Sequence, residues 1–176
     1  LSTNALSTAN ISSGTARFQS YGSGGGTTTF NGSNAIEFSG TAFIGSERAT
    51  SGTATQLFDV TNTGGVTFSG SLSQQNSIIN GSLVQGALTK IGAGKLTLSG
   101  SNGYTGATQA NGGTLELGSG GTGGTLNTSS AISIGTGGTL TINRSNAVAQ
   151  GTDFSGASIT GAGSFTQACL LYTSPS

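Results

Sequence analysis

Residues Gly86–Gly118, GALTKIGAGKLTLSGSNGYTGATQANGGTLELG, decide the fold. Leu96-Thr97-Leu98 and Leu115-Glu116-Leu117 alternate apolar and polar residues. That period of two sends one side of a strand into a core and the other, Glu116 included, toward solvent. Between the two segments lie glycine-rich corners, too frequent for a helix to run through. The alternation recurs at Ile36/Phe38, Val66/Phe68, Ile132/Ile134 and Leu140/Ile142. The long glycine-free runs 1–13, 53–63 and 139–150 are rich in Ser, Thr and Asn and show no apolar helical face. The chain reads as all-β.

Spacing then selects the architecture. Ile36-Glu37-Phe38-Ser39-Gly40, Val66-Thr67-Phe68-Ser69-Gly70 and Leu96-Thr97-Leu98-Ser99-Gly100 align at one constant interval, twice in succession. A later echo sets Gly161-Ala162-Gly163-Ser164-Phe165-Thr166 against Gly92-Ala93-Gly94-Lys95-Leu96-Thr97. A strand this short buries too little to be stable alone. Stacked about 4.8 Å above its copy in the previous coil, it shares one continuous core and satisfies its backbone groups between coils. Asn31-Gly32, Asn80-Gly81, Asn102-Gly103 and Asn111-Gly112 suit sharp corners at positive φ. Asn-Gly is also a strong hairpin signal, so an antiparallel hairpin array is the alternative to a parallel β-solenoid.

Residues 1–30 read as a frayed or irregular first coil, and 31–167 as the coils of one domain. Gly118–Gly124 reads as a loop protruding from a corner, and Ile78-Ile79 breaks the alternation and blurs the register of 71–85. From 168 to 176 the texture changes: Cys169 and Pro175 are the only cysteine and proline, and CLLYTSPS resembles the conceptual translation of a sequencing adapter. This tail is set aside as non-native.

Composition excludes several classes. There are 33 glycines, no histidine, and charged residues amount to 6% with a formal net charge of zero. Five dispersed basic residues, Arg17, Arg48, Lys90, Lys95 and Arg144, make no phosphate-neutralising footprint, so nucleic acid is not an expected partner. No apolar run approaches the roughly 20 residues of a membrane helix, so this segment is not expected to insert in a membrane. One cysteine and no histidine leave no zinc set, and the glycine-rich turns lack the aspartates of calcium-binding nonapeptides. The carboxylates Glu37, Glu47, Asp59, Glu116 and Asp153 are scattered; Glu37 would stack on Thr67 and Thr97, and Asp59 would sit at an exposed corner. No acid–base pair or nucleophile with a base emerges, and neither catalysis nor a cofactor is expected. Gly118-x-Gly120-x-x-Gly123 formally matches a dinucleotide fingerprint but precedes no helix. Tyr104 either caps the core or offers a stacking surface for a sugar.

The residues Leu88-Thr89-Lys90-x-Gly92-x-Gly94-x-Leu96-Thr97-Leu98-Ser99-Gly100, then Asn102-x-Tyr104-Thr105-Gly106 and Asn111-Gly112-Gly113-Thr114-Leu115, resemble the autotransporter-associated β-strand repeat. The chain departs from that pattern at Lys95, Gly103 and Gln109–Asn111. The resemblance implies the passenger region of a bacterial type V secreted protein, a right-handed parallel β-helix on the cell surface or outside the cell. In the full protein it would be continuous with further coils and a C-terminal β-barrel in the outer membrane. Gly92, Gly94, Leu96, Leu98, Gly100, Tyr104, Gly106, Gly113, Leu115 and Leu117 form the structural motif. The expected role is a stalk or adhesive surface, with host or matrix glycans or proteins as its contacts. A non-catalytic fragment of a carbohydrate-active β-helix enzyme is the alternative.

Overall fold

The computed structural model describes residues 8–11, 14–20, 25–46, 51–74, 84–168 and 172–173. The corner at Asn80-Gly81, the Ile78-Ile79 register, Glu47, Arg48 and Cys169 lie outside them, as do most of the segment from Leu1 to Ser13 and most of the tail.

Every strand pair described is parallel, which removes the hairpin alternative. The chain winds repeatedly past three faces. Face A stacks Thr8–Ile11, Ala35–Phe38, Val66–Phe68, Lys95–Leu98, then 114–117 and 139–142 of two longer strands, then Ser164–Gln167. Face B holds Thr15–Ser20, Thr41–Ser46 and Leu72–Gln74, followed by Ser101–Asn102 and Thr125–Leu126. Face C stacks Gly26–Phe30, Thr53–Val60, Gln85–Ile91, 108–110, 132–134 and Thr160–Gly161. Faces C and A merge in the continuous strands Thr108–Leu117 and Ile132–Ile142, with a register shift between Ala110 and Gly112.

The constant interval of the sequence is the true register: Ile36 pairs with Val66 and Val66 with Leu96, while Glu37 lies beside Thr67 and Thr67 beside Thr97. Beyond it the period shortens. Leu96 pairs with Leu115, and Leu115 with Leu140, so each of these steps uses less chain than the step from Val66 to Leu96. Inward residues join in one core that runs from Phe30 and Ile36 to Ile142, Val148 and Phe154. At the end of each face A strand a carbonyl accepts from the next coil: Ser99 N–H donates to Phe68 O at 2.9 Å, Gly118 N–H to Leu98 O at 2.9 Å and Asn143 N–H to Leu117 O at 2.8 Å. Backbone groups that one coil alone would leave unpaired are satisfied by its neighbour.

Three expectations need correction. Asparagine does not supply the left-handed corners: no non-glycine residue described has positive φ, and of the described Asn-Gly pairs only Gly32 does. Asn102 is instead buried; its amide donates to Gly100 O at 3.0 Å and Thr125 O at 2.8 Å, while its carbonyl oxygen accepts from Leu72 N–H at 3.2 Å. Asp59 is half-buried within the strand Thr53–Val60 rather than at an exposed corner. Glu116 lies on the outer side of face A yet is covered, because Lys95 Nζ meets its carboxylate at 3.1 Å and Asn143 Nδ2 donates to it at 3.0 Å. In the loop at 118–124, residues 119–123 are exposed, and Gly120 N–H donates to Asn143 O at 2.9 Å in the next coil.

The repeat coil as the candidate functional site

Residues 84–117 make one complete circuit and the closing strand above it. Leu96 and Leu98 enter the core from one coil, and Leu115 and Leu117 sit directly on them; all four are fully buried. The glycines of the motif occupy the corners for a steric reason. A Cβ on Gly100 would lie 2.0 Å from the carbonyl oxygen of Gly70 below it, so the Ser-Gly corners stack at a separation no side chain fits. Gly113, at φ +57°, would bring a Cβ within 2.6 Å of the carbonyl oxygens of both Gly92 and Gly94. Gly92, Gly94 and Gly106 press in the same way on carbonyls of the preceding coil, at Val60, Asn62 and Gly86.

Tyr104 is entirely buried, which removes the sugar-stacking reading. Its hydroxyl shares a 2.8 Å hydrogen bond with Thr108 Oγ1, which is in turn 2.8 Å from Ser130 Oγ in the next coil. Burial pushes the phenol above its ordinary range, opposed by the Thr108 hydrogen bond. The residue closes the core where face B is only two residues wide.

Lys90 is a motif residue to which the sequence pattern assigns no role, and it is the most constrained side chain of the coil. Leu88 and Lys90 are two positions apart on Gln85–Ile91, so both point inward, and Lys90 is fully buried between its register partners Phe58 and Ala110. Its ammonium donates to Ile91 O at 2.9 Å, Gly92 O at 2.7 Å and Gly112 O at 2.8 Å. Two of these carbonyls belong to its own corner and one to the coil above. The charge thereby satisfies three acceptors that the bend turns inward. Desolvation lowers its pKa from 10.5 to about 8, against the opposing pull of Asp59. The period-two position after Leu88 is the available signal, but a lysine is read as outward by default because its charge is costly to bury.

Among the described residues the carboxylates are not brought together. Glu37 and Glu116 are on face A but separated by Thr67 and Thr97. Asp59 is on face C, and Asp153 is held by Arg144 Nη1 at 2.8 Å and by Ala149 N–H at 2.8 Å. Among the described residues no group of three His, Cys, Asp or Glu is placed to hold a metal ion. What the arrangement does chemically is bind one coil to the next.

No curated protein and no solved structure matches the chain. Residues 88–117, the circuit from Leu88 and Lys90 to the leucines stacked above them, match the family model of the passenger-associated-transport-repeat, which supports an autotransporter passenger repeat region here.

Proposed function

We propose that this chain is a structural and interaction segment of a secreted or cell-surface autotransporter passenger, a stalk or adhesive surface without catalysis of its own. The observation that carries the reading is the match of 88–117 to the transport repeat. The solenoid around it is consistent: the outer side of face A runs Glu37, Thr67, Thr97, Glu116, Thr141 and Thr166, with the two carboxylates apart. Threonine suits a strand and keeps it soluble without charge. A chain in which charged residues amount to 6% and basic side chains are dispersed fits contact with glycans or extracellular proteins better than contact with nucleic acid.

Fusion of the chain between a secretion signal and an autotransporter β-barrel tests this. The expected outcome is delivery to the cell surface, read by accessibility to added protease, with delivery reduced on deletion of 88–117. Retention in the periplasm, or hydrolysis of polysaccharides by the purified chain, would refute the reading.

A further inference from the structure

The Asn-Gly pairs are a sequence feature that corner geometry leaves unused, since of the described pairs only Gly32 has positive φ. Asn-Gly is also a reactive pair: with no Cβ on the glycine, its backbone nitrogen can close on the asparagine side-chain carbonyl carbon. The winding places the three described pairs in different surroundings. Asn102 is buried, with Nδ2 donating to Gly100 O and Thr125 O and Oδ1 accepting from Leu72 N–H, so its amide is held at both ends. Asn31 is exposed, but the next coil grips the backbone on both sides of the bond that would react. Asn62 Nδ2 donates to Asn31 O at 3.0 Å, and Thr63 N–H donates to Gly32 O at 3.0 Å.

Asn111 is exposed and lies in a gap between ladders. Ala110 pairs with Ile134 and Gly112 with Gly137, so Asn111 alone faces Gly135 and Thr136 at the register shift. On the other edge the pairing stops at Ala110 and resumes at Thr114. A Cβ on Gly135 would stand 2.8 Å from Asn111 Oδ1, so the glycine leaves room for that side chain. Among the described residues the Asn111 amide makes no hydrogen bond.

We propose that Asn111-Gly112 is a site of spontaneous covalent modification, deamidation through a succinimide. The Gly112 nitrogen loses its proton to solvent base and attacks Asn111 Cγ. The bond from Cγ to the side-chain nitrogen breaks, and ammonia leaves. Water then opens the ring at either carbonyl, giving aspartate or its isoaspartyl isomer; nothing is oxidised or reduced. Either product adds a negative charge to a chain whose formal net charge is zero. The isoaspartyl form also lengthens the main chain by one carbon just before a tightly fitted corner. Gly112 O takes a hydrogen bond from Lys90 Nζ at 2.8 Å, and a Cβ on Gly113 would be 2.6 Å from both Gly92 O and Gly94 O. The isoaspartyl form therefore loosens the corner that Lys90 ties, whereas the aspartyl form keeps its backbone.

The test incubates the purified full chain in mildly alkaline buffer and follows deamidation at each asparagine by peptide mapping and mass spectrometry. Asn111 should convert fastest and Asn102 slowest, at least about tenfold apart. In urea-unfolded chain the two rates should converge, because only the fold separates them. Gly112→Ala, whose Cβ would meet Gly92 N at a tight but adjustable 3.2 Å, should slow conversion at Asn111 about tenfold or more. The isoaspartyl fraction, separated by ion exchange, should unfold at lower urea than Asn111→Asp. A native chain in which Asn31 or Asn102 converts as fast as Asn111, or in which Asn111 stays intact, overturns the proposal. Equal stability of the isoaspartyl fraction and Asn111→Asp overturns the coupling to the corner.

Discussion

The two halves of the solenoid fill their interiors in different ways. In the coils before Phe68 the strands of face B are six residues long, Thr15–Ser20 and Thr41–Ser46, and Thr53–Val60 on face C has eight. After Leu96 face B shrinks to the two-residue strands Ser101–Asn102 and Thr125–Leu126, and face C to 108–110. At about 3.3 Å per residue, the wide coils enclose a much larger cross-section. It is occupied by rings: Phe18, Phe30, Phe38, Phe58 and Phe68 form one cluster, with Phe38 and Phe68 stacked at 4.6 Å and Phe58 and Phe68 at 5.6 Å. The narrow coils use mainly Leu and Ile, with Tyr104, Phe154, Asn102 and Thr108 completing the section. The clustered rings keep to the wide coils, and Lys90 stands at the junction with Phe58 on one side and Ala110 on the other. There a long flexible side chain bridges a wide coil and a narrow one, and its charge ties off the corner.

The largest effect is expected where both halves share one device. Gly100→Ala places a methyl group 2.0 Å from Gly70 O and should cost about 4 kcal/mol or more. Chemical denaturation that found this variant as stable as wild type would show that the coils can separate without penalty. Next come substitutions that exchange the two cores. Phe68→Ala should cost about 3–5 kcal/mol. Leu98→Phe, its neighbour in the narrow half, should cost about 1–3 kcal/mol by overpacking. If Leu98→Phe is tolerated while Phe68→Leu is not, cross-section does not govern side-chain size.

At the junction, Lys90→Met removes the donor to three carbonyls and should destabilise by about 2–4 kcal/mol near neutral pH. The pH response has a definite sign. With a folded-state pKa of about 8 against 10.5 when unfolded, the unfolded chain holds more protons between those values. This group's contribution to stability therefore rises with pH above 8. Tyr104 acts oppositely: its raised folded pKa contributes stability that is present below pH 10 and fades as pH rises further. Urea titrations at pH 8 and 9.5 should thus show a wild-type gain that Lys90→Met lacks. The smallest effect is expected for Tyr104→Phe, which keeps the ring and breaks the link to Thr108 at a cost of about 1 kcal/mol.

Much of this architecture is legible in the strand pattern. Leu-x-Leu and Ile-x-Phe pairs between glycines are local patterns, and local patterns set which residues face the core. The register Ile36–Val66–Leu96 can be read because three copies keep one period. The shorter steps to Leu115 and Leu140 cannot, since coil length changes while the strand pattern does not. The same limit hides Lys90 and Asn102. Each is polar, each sits at an inward position, and only the converging carbonyls of Gly112 or Thr125 in another coil make burial favourable.

By itself, then, the sequence determined the strand period, the glycine corners, the low charge and the family likeness of 88–117. All of these depend on a residue and its near neighbours. The tertiary structure alone decided how far apart successive coils lie along the chain, why Tyr104 is closed off from any ligand, and where a buried ammonium is needed. Those depend on which backbone groups the winding brings face to face. Stacking sets that between residues a whole coil apart, as with Leu88 and Thr108 or Ile36 and Val66.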